Sequence, residues 1–226
     1  MPPPHPLTIA HRAGNRLDRL GEALAAGVDY AEADLWLYRG RLEVRHEKTA
    51  GPLPILWDRW LLKPGWTPRL SLEELLAAIG DGGRLLLDLK GRDEGLAEAL
   101  AKALERAGAV DSVAFTSPTW SYLDRLSELL PEVTRFYTIG SLQRLAALRP
   151  RLDRREIARV AIDSRMLTAE IVAELGGAGV ETITTWAVET PEKAREVLAW
   201  GVRGITSDSL PLLVALREGR ISASGG

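Results

Sequence analysis

The sequence predicts a single α/β domain folded as a closed (β/α)8 barrel, a TIM barrel. Eight short apolar runs alternate with amphipathic stretches along the chain, and no linker or change in composition interrupts them. Strands that alternate with helices build a parallel sheet, and eight repeats are the number that closes one. With 226 residues, of which 46% are hydrophobic, the chain is long enough for one such barrel with a full core, so we expect residues 1–226 to form one domain.

The candidate strands are recognised by their apolar and β-branched residues. They cover 7–10, 30–37, 84–90, 112–117, 134–139, 159–163, 181–188 and 204–208. Apolar residues recur at helical spacing in 96–108, 121–130, 168–179 and 190–201, and several of these stretches end on glycine, as helices often do. An open doubly wound sheet is the structural alternative, but the GxGxxG turn that follows its first strand is absent.

One segment after the second strand departs from the alternation. Residues 37–47 are typical of a hairpin around Arg39-Gly40, and a longer loop with prolines and three tryptophans then leads to a helix that begins near Ser71. Long ordered loops at the C-terminal face of a barrel usually wall its active site. We expect the three tryptophans to pack this loop onto the barrel, the alternative being cation–π binding of a quaternary ammonium group. They are Trp57, Trp60 and Trp66.

Composition excludes several classes of function. The formal net charge is −2 and the charges are scattered, so the basic stripe that nucleic-acid binding requires is missing. The chain has no cysteine, which excludes disulfides, thiolate metal sites and a cysteine nucleophile. No apolar run approaches a membrane span and the first residues do not resemble a secretion signal, so we expect a soluble, cytoplasmic protein without a transmembrane segment. The sequence does not indicate an oligomeric state.

Three carboxylates are predicted to meet at the mouth of the barrel. Glu32 and Asp34 are two residues apart on the second strand, so both side chains face the same side of the sheet. Asp88 lies near the end of the third strand. Carboxylate oxygens from neighbouring strands are hard ligands that suit Mg2+ or Ca2+ better than zinc.

Two histidines and two cations accompany these acids. His11 and Arg12 end the first strand, Lys90 ends the third, and His46 follows the hairpin and is expected to fold back over the same end. A pair of histidines beside a metal site can act as general base and general acid. Burying like charges together is costly unless a cation compensates them, so the combination predicts an active site better than any single residue does.

The order of these motifs resembles the glycerophosphodiester phosphodiesterase family of TIM barrels. The matching segments run from about residue 8 to about residue 211: "IAHRAGN", "GVDYAEADLWLYRGRLEVRHE", "PRLSLEELL", "LLLDLKG", "VAFTS" and "TTWAVETPEKAREVLAWGVRGITSD". The family's signature consists of HR, then ExD, a glycine turn and a second histidine, an acid-x-lysine strand, and terminal tryptophan and aspartate elements.

The resemblance implies an activity and a set of roles. Enzymes of this family hydrolyse glycerophosphodiesters to sn-glycerol 3-phosphate and an alcohol with a divalent cation, commonly Mg2+ or Ca2+, and Mn2+ is a further candidate. His11 and His46 match the catalytic histidines, and Arg12 and Lys90 match the cations that contact the phosphate. Trp186, at the end of the seventh strand, is a candidate to line the pocket of the small-molecule substrate beneath the glycerol, the alternative being a place in the barrel core. Glu32, Asp34 and Asp88 match the metal ligands.

The sequence also departs from the family pattern. The segment after His11 and Arg12 contains Asn15 but lacks the family's PENT-like glutamate, which predicts weaker metal binding or more water around the metal. Asp88 stands where glutamate is usual, and "WAVE" replaces "WTVN", so Glu189 stands where asparagine is usual. Asp208 is expected to cap the turn that follows the last strand.

Two other functions are compatible with the residues. One is a related enzyme that cleaves the headgroup of a lysophospholipid or sphingolipid, which an apolar surface near the mouth would assist. The other is a barrel that binds phosphodiesters without turnover, although a binding protein has no need of a paired acid and base.

Overall fold

The computed structural model of the protein describes residues 5–49, 55–58, 61–64, 67–154 and 156–223. Eight parallel strands close into a barrel, because the first strand pairs with both the second and the eighth. This confirms the predicted fold. The barrel strands are Leu7–Ala10, Tyr30–Tyr38, Leu85–Lys90, Val113–Ser117, Arg135–Ile139, Arg159–Asp163, Thr182–Trp186 and Gly204–Ser207.

Eight α-helices cover the outside of the barrel in the described part of the chain. They are Leu17–Ala25, Leu72–Ile79, Leu96–Ala107, Trp120–Leu129, Leu142–Asp153, Ala169–Gly177, Pro191–Ala199 and Leu210–Arg217. The helix predicted to begin near Ser71 does so with a capping box, in which Ser71 and Glu74 exchange hydrogen bonds between side chain and backbone. Gly108 ends the third helix with a φ of 61°, a left-handed conformation that glycine adopts at little cost. None of the helices in the described residues combines the length and apolarity of a membrane-spanning segment.

The core has two parts because each strand has two faces. The larger part lies between strands and helices and is made of leucine, isoleucine, valine and alanine side chains. A smaller inner cluster fills the barrel, and it consists of Ile9, Tyr30, Leu86, Ala114, Phe136 and Ala161, with Leu7 and Trp186 packed against it. Two residues further along several of these strands, the same inward face becomes polar, as with Glu32 after Tyr30 and Asp88 after Leu86. The sequence therefore places apolar residues inside the barrel and charged ones at its C-terminal mouth.

The excursion after the second strand is more ordered than predicted. Arg41–Val44 pairs antiparallel with the second barrel strand around Arg39-Gly40, which confirms the hairpin. Instead of a loop, Lys48–Thr49, Ile55–Asp58 and Leu61–Pro64 then form a small three-stranded antiparallel sheet. Trp57 differs from the expectation of packing, because it is 37% exposed and lies under the Lys48 ammonium, 5.2 Å from its ring centre. Trp60 and Trp66 lie outside the described residues.

Candidate active site

The three predicted metal ligands meet at the mouth of the barrel. Glu32, Asp34 and Asp88 each present an oxygen atom within 4.8 Å of the others. They come together because the second and third strands are parallel neighbours, in a register that places Asp34 directly opposite Asp88. Lys90 follows two residues later on the same inward face, and its ammonium contacts Asp34 Oδ1 at 3.0 Å and also pairs with Asp88.

One ammonium faces three carboxylates, so ionisation of all three would leave negative charge uncompensated. Burial and the charges of Asp34 and Asp88 raise the pKa of Glu32 well above its usual range. Burial also raises the pKa of Asp88 to about 6, despite its contact with Lys90. Burial opposes ionisation of Asp34 too, but Lys90 and the amide of Asn15 outweigh it and lower its pKa.

The residues fit a hard divalent cation. Oδ1 of Asp88 is buried and has no hydrogen-bond partner, and it belongs to a set of three convergent carboxylates. An orphaned buried oxygen is costly unless something binds it, and a cation beside the cluster would also compensate the like charges. The donor set is made of oxygens only, which suits Mg2+, Ca2+ or Mn2+.

Asn15, whose role the sequence did not reveal, holds one of these carboxylates in place. Its Nδ2 donates to Asp34 Oδ2 at 2.7 Å, and its Oδ1 accepts from the Asp34 backbone N–H at 2.8 Å. The turn Ala13–Asn15 lies against the second strand because Gly14 has no side chain: a Cβ there would be 2.8 Å from Ala33 Cβ. The residue before this turn, Arg12, has a left-handed φ of 52°, and its N–H donates to Glu32 Oε2 at 2.6 Å.

His11 is held by residues that follow the seventh and eighth strands. Its Nδ1 lies 3.0 Å from Asp208 Oδ1, which leaves Nε2 available for a substrate. Burial lowers the pKa of His11, and the charge of Asp208 offsets this only in part. The carboxylate of Glu189 in turn accepts from Ser207 Oγ at 2.8 Å and from the Asp208 N–H at 3.1 Å.

The expected role of Asp208 as a helix cap is wrong. The cap is the neighbouring Ser209, whose hydroxyl accepts from the Leu212 N–H. Asp208 contacts His11 from the far end of the chain, so only closure of the barrel reveals the pair. Its sequence signals were its place directly after a barrel strand and its position as the aspartate that ends the motif "GITSD".

Most of the predicted site residues line the cavity at the mouth of the barrel, and His46 lies beside this cavity. A volume of about 260 Å³ is lined by His11, Arg12, Lys90, Trp186 and the three carboxylates, together with threonines from four strands. His46 lines an adjoining cavity of about 400 Å³ that shares Arg12 with the first, and its Nδ1 lies 2.9 Å from Asp58 Oδ2. Two larger cavities, each of about 470 Å³, lie elsewhere and contain none of the predicted site residues.

The fold and this site define a (β/α)8 barrel with a candidate cation-binding active site at its C-terminal mouth. No family model matches the sequence, and no curated protein matches it. Many solved structures do, and glycerophosphodiester phosphodiesterases are among them, which confirms at the level of the fold the resemblance that the motifs predicted.

Three of these structures illustrate the similarity. A candidate glycerophosphoryl diester phosphodiesterase from Silicibacter pomeroyi DSS-3 is 20% identical, with a TM-score of 0.78 over 98% of this chain and 96% of the other. A phosphodiesterase from Oleispira antarctica, solved with its product sn-glycerol-3-phosphate, is 21% identical, with a TM-score of 0.74 over 95% and 97% of the two chains. The glycerophosphodiester phosphodiesterase of Thermotoga maritima is 19% identical, with a TM-score of 0.70 over 94% and 98%.

Proposed function

We propose that the protein is a glycerophosphodiester phosphodiesterase, which hydrolyses glycerophosphodiesters to sn-glycerol 3-phosphate and an alcohol. The observation that carries this proposal is the convergence of Glu32, Asp34 and Asp88 beside Lys90 and His11 in one cavity. The product found in the structurally similar Oleispira antarctica enzyme supports the substrate class.

In the proposed reaction the histidines move two protons. One histidine takes the proton of an attacking hydroxyl, which is the free glycerol hydroxyl next to the phosphate. As the new P–O bond forms, the bond from phosphorus to the alcohol oxygen breaks, and the other histidine gives its proton to the departing oxygen. Water then opens the resulting cyclic phosphate by the reverse use of the same pair, which yields glycerol 3-phosphate.

The charged residues stabilise the phosphate during this displacement. Arg12 and Lys90 are proposed to hold its non-bridging oxygens, because a cation placed where charge develops lowers the barrier. Glu32, Asp34 and Asp88 would hold a divalent cation, which when bound supplies further neutralisation of the phosphate charge. The carboxylates beside His11 and His46 keep each ring oriented with its Nε2 free.

The proposal is tested by release of glycerol 3-phosphate from glycerophosphocholine, glycerophosphoethanolamine and glycerophosphoglycerol. Each diester is incubated with Mg2+, Ca2+, Mn2+ or EDTA, with wild type and with His11→Ala and His46→Ala. We expect wild type to release glycerol 3-phosphate only with a divalent cation and with a bell-shaped pH profile. Either substitution should abolish this release. No release from any diester with any ion, in protein that is folded by circular dichroism, would reject the proposal. A trapped cyclic phosphate would support the two-step route, and its absence would favour direct attack by water.

Cleavage of a lipid headgroup is the second candidate, and one observation favours it. Trp57 and Leu62 are cross-strand partners in the small sheet beside the site, and they are 37% and 71% exposed. Two exposed apolar side chains on one face can enter the interface of a bilayer. Release of choline from lysophosphatidylcholine that exceeds release from glycerophosphocholine would favour this candidate, and the reverse order would reject it.

A further inference from the structure

Basic side chains outnumber acidic ones in the cavity that contains His46. It has a volume of about 400 Å³ and opens beside the carboxylate cluster, to which Asn15 connects it. Its lining includes two carboxylates, Glu47 and Asp58, against five arginine and lysine side chains. These five are Arg12, Arg16, Arg45, Lys63 and Arg69.

The ion pairs of this cavity do not remove its positive charge. Lys63 pairs with Glu47, and Asp58 pairs with His46. Glu43, behind the cavity wall, binds Arg45 at 3.1 Å and also pairs with Arg69, and Asp18 binds Arg16 at the exposed rim. With these two outside carboxylates counted, five cations face four carboxylates, an excess of one. Within the described residues, Nη2 of Arg45 is buried and has no hydrogen-bond partner, so it can donate to an anion.

Arg12 stands where the two cavities meet. In the part of the chain that the structure describes, its guanidinium forms no ion pair. Such a side chain at the junction suits the scissile phosphate, with His11 on one side and His46 on the other. A diester held there has its two halves in different cavities.

The two cavities differ in the chemistry they offer these halves. The first, of about 260 Å³, is lined beyond the charged cluster by apolar side chains, such as Trp186 and Leu86, and by four threonine hydroxyl groups, a lining that suits an uncharged glycerol. The hydroxyl groups belong to Thr116, Thr138, Thr184 and Thr206. The second cavity offers arginine and lysine side chains, which attract an anion and disfavour the positive charge of choline or ethanolamine.

We propose that the cavity around His46 is a subsite for a departing alcohol that carries its own anionic group, such as a phosphomonoester. The preferred substrate is then a glycerophosphodiester with two negatively charged groups: the scissile diester at Arg12, and a second anion that Lys63, Arg16 and Arg45 receive. This inference rests on the proposed function for the position of the scissile phosphate, and on the cavity lining for the charge preference.

The test compares two substrates that differ only in that anion. They are glycerophosphoglycerol and the same diester with a phosphate on its second glycerol. Both are assayed with the divalent ion in large excess, because the added phosphate also binds metal. We expect wild type to have at least a tenfold higher kcat/KM for the phosphorylated diester. The double variant Arg16→Gln/Lys63→Gln should reduce that preference about tenfold.

A matched variant controls for the change in overall charge. Lys102 and Arg106 are exposed on the third helix and line a different cavity, so Lys102→Gln/Arg106→Gln removes the same charge elsewhere. This control should keep the wild-type preference within twofold. Equal kcat/KM for the two diesters in wild type, or an unchanged preference in Arg16→Gln/Lys63→Gln, would overturn the subsite.

A binding measurement separates failure of the subsite from failure of the proposed function. Calorimetry in EDTA, where turnover is suppressed, gives the dissociation constant of each diester directly. Tighter binding of the phosphorylated diester that weakens about tenfold in Arg16→Gln/Lys63→Gln supports the subsite even if no diester is hydrolysed. Hydrolysis of both diesters with equal binding would leave the proposed function in place and reject the subsite.

Discussion

Nδ1 of His11 lies 3.0 Å from Oδ1 of Asp208, although 197 positions separate the two residues in the chain. The contact forms because the first and eighth strands are neighbours in the closed barrel and end at the same level, with Ala10 opposite Ser207. A carboxylate on Nδ1 fixes the ring and stabilises its protonated form. Asp208 is therefore a positioning residue for His11.

Replacing Asp208 with asparagine should slow turnover and shift its pH dependence. Because the negative charge of Asp208 raises the pKa of His11, its removal lowers that pKa further. We expect kcat to fall about tenfold with a small change in KM, and the limb of the pH profile that belongs to His11 to move to lower pH. Histidine NMR titration of Asp208→Asn measures the shift, and His5, at the opposite end of the barrel, is the internal reference. An unmoved His11 titration would contradict the assigned role.

Asn15→Ala should weaken metal binding. The substitution removes both hydrogen bonds that hold Asp34, and loss of such support around a metal ligand typically costs about 10–100-fold in affinity. Asn15 is the only asparagine in the sequence, so wild type labelled with ¹⁵N-asparagine gives a single side-chain amide signal. That signal should shift when Mg2+, Ca2+ or Mn2+ is added, and calorimetry of both proteins gives the affinities. Equal affinity in wild type and Asn15→Ala would show that Asp34 needs no support.

The contribution of Asp88 to the stability of the metal-free protein should fall as the pH rises from about 4 to above 6. The pKa of Asp88 is about 6 in the folded protein and about 3.9 in an unfolded chain. Between these values the folded state keeps a proton that the unfolded state loses, so this group's contribution to the free energy of unfolding decreases with rising pH. In EDTA, Asp88→Asn should therefore gain stability relative to wild type, on the order of 1–3 kcal/mol, between pH 4.5 and pH 7.5.

Adding a divalent cation should reverse this effect. Binding requires ionised carboxylates, so the rise in Tm with Mg2+ or Ca2+ should be larger at pH 7.5 than at pH 5. Asp88→Asn should lose most of the rise, while Asp153→Asn, exposed on the fifth helix, should keep it. A Tm rise that is equal at both pH values and in all three proteins would place the ion elsewhere.

Gly14→Ala should destabilise the turn that carries Asn15. The new Cβ would lie 2.8 Å from Ala33 Cβ and 3.1 Å from the Glu32 carbonyl oxygen, so the turn must move away from the second strand. Overpacking of this kind costs about 1–3 kcal/mol, and metal affinity should fall with it. Gly21→Ala is the matched control, because nothing lies within 4 Å of the added methyl group in the first helix. In urea unfolding, Gly21→Ala should raise the free energy of unfolding by about 0.5–1 kcal/mol. A Gly14→Ala variant as stable as wild type would show that the turn has room to shift.

The sequence predicted the barrel well because strand patterns are local. Apolar runs such as 159–163 coincide with the observed strand Arg159–Asp163, and others, such as 181–188, end a residue or two earlier than predicted. Inward residues repeat every second position, so the spacing of Glu32 and Asp34 was enough to predict that both face the mouth. The small sheet after His46 is not evident from the sequence, because its strands are short and lie among prolines that are typical of a loop.

The sequence by itself determined the fold class, the polar mouth of the barrel and the residue types of the candidate site. Tertiary structure decided which residues contact each other: Asp208 contacts His11, and Asn15 contacts Asp34. It also brought several basic side chains into the cavity around His46. The physical reason is distance along the chain. A strand's alternation is set by neighbours two residues away, whereas these contacts join residues 19 and 197 positions apart, and they exist only once the barrel has closed.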